Sequence, residues 1–481
     1  MMKLGAKLLV SYAVLATIFG HAQIQYPTPI KHVVYVIQEN RTPDNLFQAL
    51  LTWPGINPAN YDIASSGKNS LGQTIPLVAG PLGNLYDLSH AHHAFTAMYD
   101  NGKMDGADKV TCIGTCPPNP QFMYVDNSTG LISPYLNLVA QYGWANYMFQ
   151  TNQGPSTPAH LFLLGGTSAP TAADDAAGIY LAETPSMPKG QSAGGNTGCL
   201  SPSIEWNWLV QPNGRETKLA NTSLGALCFR QETIASLLDG AGFTWKYYAA
   251  AGVASNPGGS ILNATGSIRG ICKPNSTYTQ CTGAEWASDV DLNPADVLSD
   301  IKSCKLPNMS WVTPIFANSD HPGSPKGGPT GGPSWVASIV NAIGAATTCD
   351  GGAGYWSDTA ILITWDDWGG WYDHEPPTIL PAPLGDYQYG FRVPFIVVSA
   401  YTPAAYVNNE RLDFGSSLRF IEGVFNIPEG ALSFADARAT SDLSNFFHFT
   451  QSPRSFQKIP ARFDAEYFIH DKTPPEAPDN D

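Results

Sequence analysis

Two adjacent carboxylates, Asp366 and Asp367, end the apolar run Ala360-Ile-Leu-Ile-Thr-Trp-Asp-Asp-Trp-Gly-Gly-Trp-Tyr-Asp-His374. Like charges side by side are costly to bury without a counter-charge. In a continuing strand they would point to opposite faces. At a strand end, with Gly369-Gly370 permitting a sharp turn, both can converge on one cation. The flanking Trp365, Trp368 and Trp371 argue for a semi-buried pair rather than a solvated turn. A second pair, Glu39 and Asn40, closes Lys31-His-Val-Val-Tyr-Val-Ile-Gln-Glu-Asn-Arg41. Both side chains offer oxygen, the donor preferred by hard metal ions. Alone, a strand ending in Glu-Asn-Arg is an ordinary loop start, so its weight comes from the other pieces.

The third piece is Gln153-Gly-Pro-Ser-Thr-Pro-Ala-His160, followed by an apolar stretch. Ser156 is predicted to cap a helix whose amides face an anion. A serine becomes a nucleophile once its proton is drawn off, by a metal ion or a histidine base. Thr157 competes for that role, and a cap without chemistry is the plainer reading. The histidines are few: His90, His92 and His93 lie together, His321 sits in Ser-Asp-His-Pro-Gly, and His374 follows the acidic pair. Imidazolium groups stabilise charge on a transferring phosphoryl group or protonate a leaving oxygen. Lys103 is a further candidate for the first task, with a solvated lysine as the bland alternative.

These groups need a scaffold that brings distant segments together. Apolar, β-rich runs occur at 33–37, 243–248, 309–312, 360–365 and 393–399, and helical patterns at 132–142, 334–345 and 415–425. The alternation predicts an α/β fold with a doubly wound, mainly parallel sheet between helices. Right-handed crossovers gather the carboxyl ends of such strands on one edge, where ligand sites collect. Residues 169–304 are rich in Gly, Asn, Ser and Thr and hold five of the eight cysteines. They read as inserted loops or a small cap stapled by disulfides.

Lys3 and Lys7, an apolar run and Gly20-His21-Ala22 read as a signal peptide over residues 1–22 and place the protein in the periplasm or outside the cell. A catalytic domain is expected over 23–470 and a flexible, Pro-containing tail over 471–481. Eight cysteines in an exported chain imply disulfides, most simply nearest-neighbour pairs 112–116, 199–228, 272–281 and 304–349. No later run is long enough to span a membrane. The net charge of −15, more negative without Lys3 and Lys7, argues against nucleic-acid binding. No phosphate-binding Gly-rich loop, dinucleotide turn or His-Glu-x-x-His helix is present. Nothing in the composition defines an oligomeric state.

In order, these pieces resemble the bacterial phosphoesterase family that holds secreted phospholipases C and a group of acid phosphatases, within the alkaline-phosphatase-like superfamily. The resemblance runs through Glu39-Asn-Arg41, the His90 segment to Lys103-Met-Asp-Gly106, Gly154-Pro-Ser-Thr-Pro158 and Asp320-His-Pro322. It continues through Trp365-Asp-Asp-Trp-Gly-Gly370, Arg392-Val-Pro394 and Phe434-Ala-Asp-Ala-Arg438. It implies that Glu39, Asn40, Asp366 and Asp367 hold a divalent metal ion, joined by the hydroxyl of Ser156 as nucleophile. His90 and His321 would contact the phosphoryl oxygens, and Asn40, His92, Lys103 and His374 would lie toward the substrate. Oxygen-rich ligands favour Ca²⁺, Mg²⁺ or Mn²⁺ before Zn²⁺. Many relatives carry Thr at the nucleophile and Pro-Asn-Arg after it, where this chain has Ser156 and Pro158-Ala-His160. The expected function is a secreted phosphoesterase of acid-phosphatase type working through a phosphoseryl intermediate. Phospholipase C activity on phospholipid head groups is the alternative, and a non-catalytic calcium- or ligand-binding protein is the contrasting class.

Overall fold

Valines and isoleucines facing both ways make His32–Gln38 (β1) a strand that is stable only when covered on both sides, and all seven of its residues are buried. The computed structural model describes residues 28–186, 198–201, 205–220, 227–250, 262–323, 329–381, 384 and 386–474. The expected signal peptide and most of the expected tail lie outside them. Seven further strands complete the main sheet: Gly143–Phe149 (β2), Trp245–Tyr248 (β3), Val290–Asp291 (β4), Met309–Val312 (β5), Thr359–Trp365 (β6), Phe395–Ser399 (β7) and Tyr406–Asp413 (β8). Their order is β4-β3-β5-β1-β6-β7-β2-β8. All neighbours pair in parallel except β7, which runs antiparallel to both β6 and β2. The mainly parallel α/β sheet is therefore present.

Helices cover both faces. Tyr35 of β1 and Trp311 of β5 are in register and so point the same way. Tyr35 Oη donates to Ser417 Oγ of the helix Phe414–Val424, and Trp311 Nε1 donates to Leu163 O of the helix Ser156–Gly165. On the opposite face Trp365 packs edge-on against Tyr135 of the helix Ser133–Gln141, with ring centroids 5.2 Å apart. In chain order these helices are α1 (Ser133–Gln141), α2 (Ser156–Gly165) and α4 (Phe414–Val424), with Gly332–Ala345 as α3 between the last two.

Residues 169–304 contribute β3 and β4 to the main sheet as well as a separate three-stranded sheet of Tyr180–Leu181, Trp206–Val210 and Glu216–Ala220. Four disulfides form, Cys112–Cys116, Cys199–Cys228, Cys272–Cys281 and Cys304–Cys349, the nearest-neighbour set. No described helix is long and apolar enough to cross a membrane.

Candidate active site

Because β1, β2, β5 and β6 run the same way, their carboxyl ends share one edge, and the candidate residues follow those ends. After β1 the chain turns sharply: Asn40 adopts a left-handed conformation, with φ of 57°. Gly369 sits against it so closely that a β-carbon there would lie 2.3 Å from Asn40 O. Gly369 and Gly370 both have positive φ, 61° and 73°, which lets the acidic turn fold back at the end of β6. The tryptophans anchor this turn from below, since Trp365, Trp368 and Trp371 are all fully buried.

The acidic turn is held by backbone donors. Asn40 N and Asp367 N both donate to Asp366 Oδ1, at 3.1 and 2.7 Å, and Gly369 N donates to Asp367 Oδ1 at 2.7 Å. Asp366 Oδ2 has no hydrogen-bond partner among the described residues, and Asp367 Oδ2 accepts from Ser156 Oγ at 3.0 Å.

Ser156 is not the cap of α2; Pro155 is, and Ser156 occupies the first helical position. Its hydroxyl is thus not engaged in capping and can reach Asp367. The loop before it is tied by amide side chains that sequence reasoning missed. Gln150 Nε2 donates to Asn152 O and Gly154 O, each at 2.9 Å, while Gln150 Oε1 accepts from Trp368 N at 3.1 Å. Gln150 therefore ties the serine loop to the acidic turn. Thr157 is buried, and its hydroxyl has no hydrogen-bond partner among the described residues.

His90 and His321 are buried together, their rings 6.4 Å apart. His90 Nδ1 faces Leu88 O at 2.9 Å, so Nδ1 carries the hydrogen and Nε2 accepts from Asn40 Nδ2 at 3.2 Å. That arrangement turns Asn40 Oδ1 away from His90, and it has no hydrogen-bond partner among the described residues. His321 Nδ1 lies 2.8 Å from Pro322 O. Arg41, fully buried, donates from Nε to Asp320 O at 2.8 Å and so ties the end of β1 to the His321 loop. Burial lifts the Asp320 carboxyl to about 6 against the pull of Tyr135 and Arg41.

The remaining candidates are placed differently. His92 is buried, with Nδ1 2.8 Å from Gln153 O beside the serine loop. Lys103 is an exposed lysine paired with Asp100 at 2.8 Å. His374 belongs to a second cluster, where Nδ1 meets Asp44 at 2.8 Å and Nε2 meets Asp62 at 3.1 Å. Arg392, fully buried, completes that cluster through Asp373, with Nε–Oδ1 at 2.8 Å and Nη2–Oδ2 at 3.1 Å. Arg392 and a protonated His374 set two cations among the three carboxylates of Asp44, Asp62 and Asp373.

Burial works against the His374 cation, but hydrogen bonds to Asp44 and Asp62 outweigh it and raise its pKa from 6.5 to about 10. A raised pKa stabilises the fold fully below about 6.5 and ceases to do so as pH rises through 10. Wild type should accordingly exceed His374→Gln by roughly 2–4 kcal/mol at pH 6, and the difference should fade toward pH 10. Urea unfolding of both proteins across that range tests it; a pH-independent gap would rule out the charged pair.

Sequence reasoning also leaves out His160, which enters only as a departure from the Pro-Asn-Arg of relatives. Its ligand atom and those of Glu39 and Asp366 lie within 4.8 Å of one another, and all three residues are buried. The signal was available: His160 is one helical turn beyond Ser156. Buried, convergent carboxylates and a nitrogen, with orphaned oxygens at Asp366 and Asn40, fit a divalent ion.

A model of the Phosphoesterase family matches residues 30–428. Phospholipase C A of Mycobacterium tuberculosis is 24% identical over 459 residues, covering 89% of this chain and 79% of that protein. Non-hemolytic phospholipase C of Pseudomonas aeruginosa is 26% identical over 262 residues, covering 48% of this chain and 35% of that protein. Among solved structures, a protein in the alkaline phosphatase superfamily from Vibrio parahaemolyticus aligns at TM-score 0.34 and 10% identity, over 84% of this chain and 68% of that one.

Proposed function

The chain belongs to the Phosphoesterase family and is a phosphoric ester hydrolase, and from that premise we propose that it works through Ser156 with a divalent metal ion. The observation that carries this reading is the 3.0 Å contact between Ser156 Oγ and Asp367 Oδ2, beside a buried set of ligand atoms. Glu39, Asn40, Asp366 and Asp367 would hold the ion, with Ser156 alongside. When bound, such an ion supplies positive charge that favours the serine alkoxide and offsets charge on the phosphoryl oxygens.

The residues themselves divide the remaining work. Asp367 Oδ2 accepts the Ser156 hydrogen bond and aims the hydroxyl into the site. Ser156 Oγ forms a bond to phosphorus as its proton passes to Asp367 Oδ2 and the bond to the leaving oxygen breaks, giving a phosphoseryl enzyme that water hydrolyses. His90 and His321 flank the phosphoryl group, and His321, carrying a second proton at Nε2, gives that proton to the leaving oxygen. Asn40 spends its amide nitrogen on His90, which leaves its Oδ1 for the ion. The Ser156 contact and the histidine pair favour catalysis over a plain calcium-binding role, which would need neither.

For the substrate, phosphomonoesters are the first expectation, in line with the acid-phosphatase-like features of the sequence. The naming of relatives as phospholipases C supports phospholipid head groups as the second reading. The four disulfides support an exported protein. Purified enzyme should turn over an aryl phosphomonoester, lose that activity to a chelator and regain it on adding a divalent ion. A panel with phosphatidylcholine alongside the monoester separates the two substrate classes. Activity indifferent to prolonged chelation would overturn the metal-dependent reading.

A further inference from the structure

Helix α2 aims a second side chain into the acidic cluster. His160 lies four residues beyond Ser156, so the two project from the same face of the helix. It is fully buried, and its ring is locked from behind: Nδ1 is 3.3 Å from Tyr247 Oη, whose hydroxyl donates to Leu262 O at 3.1 Å. A hydroxyl whose proton is committed to a carbonyl accepts from the ring, so Nδ1 bears the imidazole hydrogen and Nε2 presents a lone pair. That lone pair has no hydrogen-bond partner among the described residues. It lies 3.6 Å from Asp366 Oδ2, beyond hydrogen-bond distance, and 4.0 Å from Glu39 Oε1. A nitrogen lone pair and carboxylate oxygens facing one another in a dry interior repel unless a cation sits among them. The spacing suits a shared ion: ligand atoms about 2.0–2.2 Å from a metal lie about 3–4 Å apart.

We propose that His160 Nε2 is a direct metal ligand, the nitrogen donor among the oxygens of Glu39, Asn40, Ser156, Asp366 and Asp367. The proposal rests on the metal-dependent reading above and deepens it by assigning the class of ion. Imidazole suits borderline transition metals, whereas Ca²⁺ and Mg²⁺ prefer oxygen alone. One nitrogen in this set shifts the site toward Zn²⁺, Mn²⁺ or Fe²⁺. Tyr247 acts as the partner that fixes the tautomer of the ligating histidine, a role such ligands commonly require.

The test uses chelator-treated wild type and His160→Gln, each titrated calorimetrically with Zn²⁺ and with Ca²⁺. The variant should lose Zn²⁺ affinity by about 10–100-fold or more, the range reached even by loss of an outer partner. Its Ca²⁺ affinity should stay within about threefold. Pulsed electron paramagnetic resonance of Mn²⁺-loaded wild type should show modulation from a coordinated imidazole nitrogen, and this measurement does not depend on the variant folding. Equal losses for both ions would make His160 a charge partner of Asp366 rather than a ligand and would overturn the proposal. So would unchanged affinities, or absence of the nitrogen signal. Wild type that binds neither Zn²⁺, Mn²⁺ nor Ca²⁺ would remove the metal-dependent reading itself.

Discussion

Replacing Ser156 with alanine should lower kcat on an aryl phosphomonoester by on the order of 10⁴-fold or more while leaving the protein folded. The hydroxyl donates to Asp367 Oδ2 and does not cap its helix, so its removal costs the fold little. Its neighbour provides the control. Thr157 is also a buried hydroxyl on the first turn of α2, yet no hydrogen bond ties it to the acidic pair. Thr157→Ala should keep turnover within about tenfold of wild type. Steady-state kinetics on both variants, with near-ultraviolet circular dichroism to verify packing, separates the two residues. Full turnover by Ser156→Ala with loss in Thr157→Ala would transfer the nucleophile to Thr157.

The largest effect on stability is expected at Arg392. Its guanidinium is fully buried and meets Asp373 in a two-pronged contact, with Asp44 and Asp62 each at 3.5 Å. Burial raises Asp373 to about 6 even with Arg392 in place, so this carboxylate already stands close to losing its charge. Arg392→Ala should destabilise the protein by about 3–5 kcal/mol, since removing one partner strands the others in a water-poor interior. Adding Asp373→Asn should recover part of that loss, because the stranded charge is removed with it. Urea denaturation of the two single variants and the double variant measures the coupling. Additive losses would show that Arg392 stabilises through packing rather than charge.

The sheet was readable because its central strands are buried on both faces. The runs at 33–37 and 360–365 are apolar almost throughout, and the strands His32–Gln38 and Thr359–Trp365 grew from them. The helical patterns at 334–345 and 415–425 correspond to Gly332–Ala345 and Phe414–Val424, with ends shifted by one or two residues. Direction was not readable. The run at 393–399 is equally apolar read either way, and only pairing shows that Phe395–Ser399 is antiparallel. Proximity within the site was partly readable, through the turn-forming glycines and the serine that faces a carboxylate. His160 was overlooked because its meaning depends on helical phase relative to Ser156, and Gln150 because an amide in a loop has no pattern of its own. His374 follows the acidic pair in sequence, and only the fold shows its contacts with Asp44 and Asp62.

The contacts that build the site span very different lengths of chain from those that cross-link it. Asn40 meets Asp366 across 326 residues and Ser156 meets Asp367 across 211, while the disulfides close separations of 4, 29, 9 and 45. The covalent links therefore constrain local loops and leave the long closures to non-covalent sheet assembly, whose entropy must be overcome before those contacts can form. No amino-terminal fragment ending before Thr359–Trp365 contains the acidic pair. The ligand set is in this sense a checkpoint on folding: it comes together only after the first and last thirds of the chain have docked.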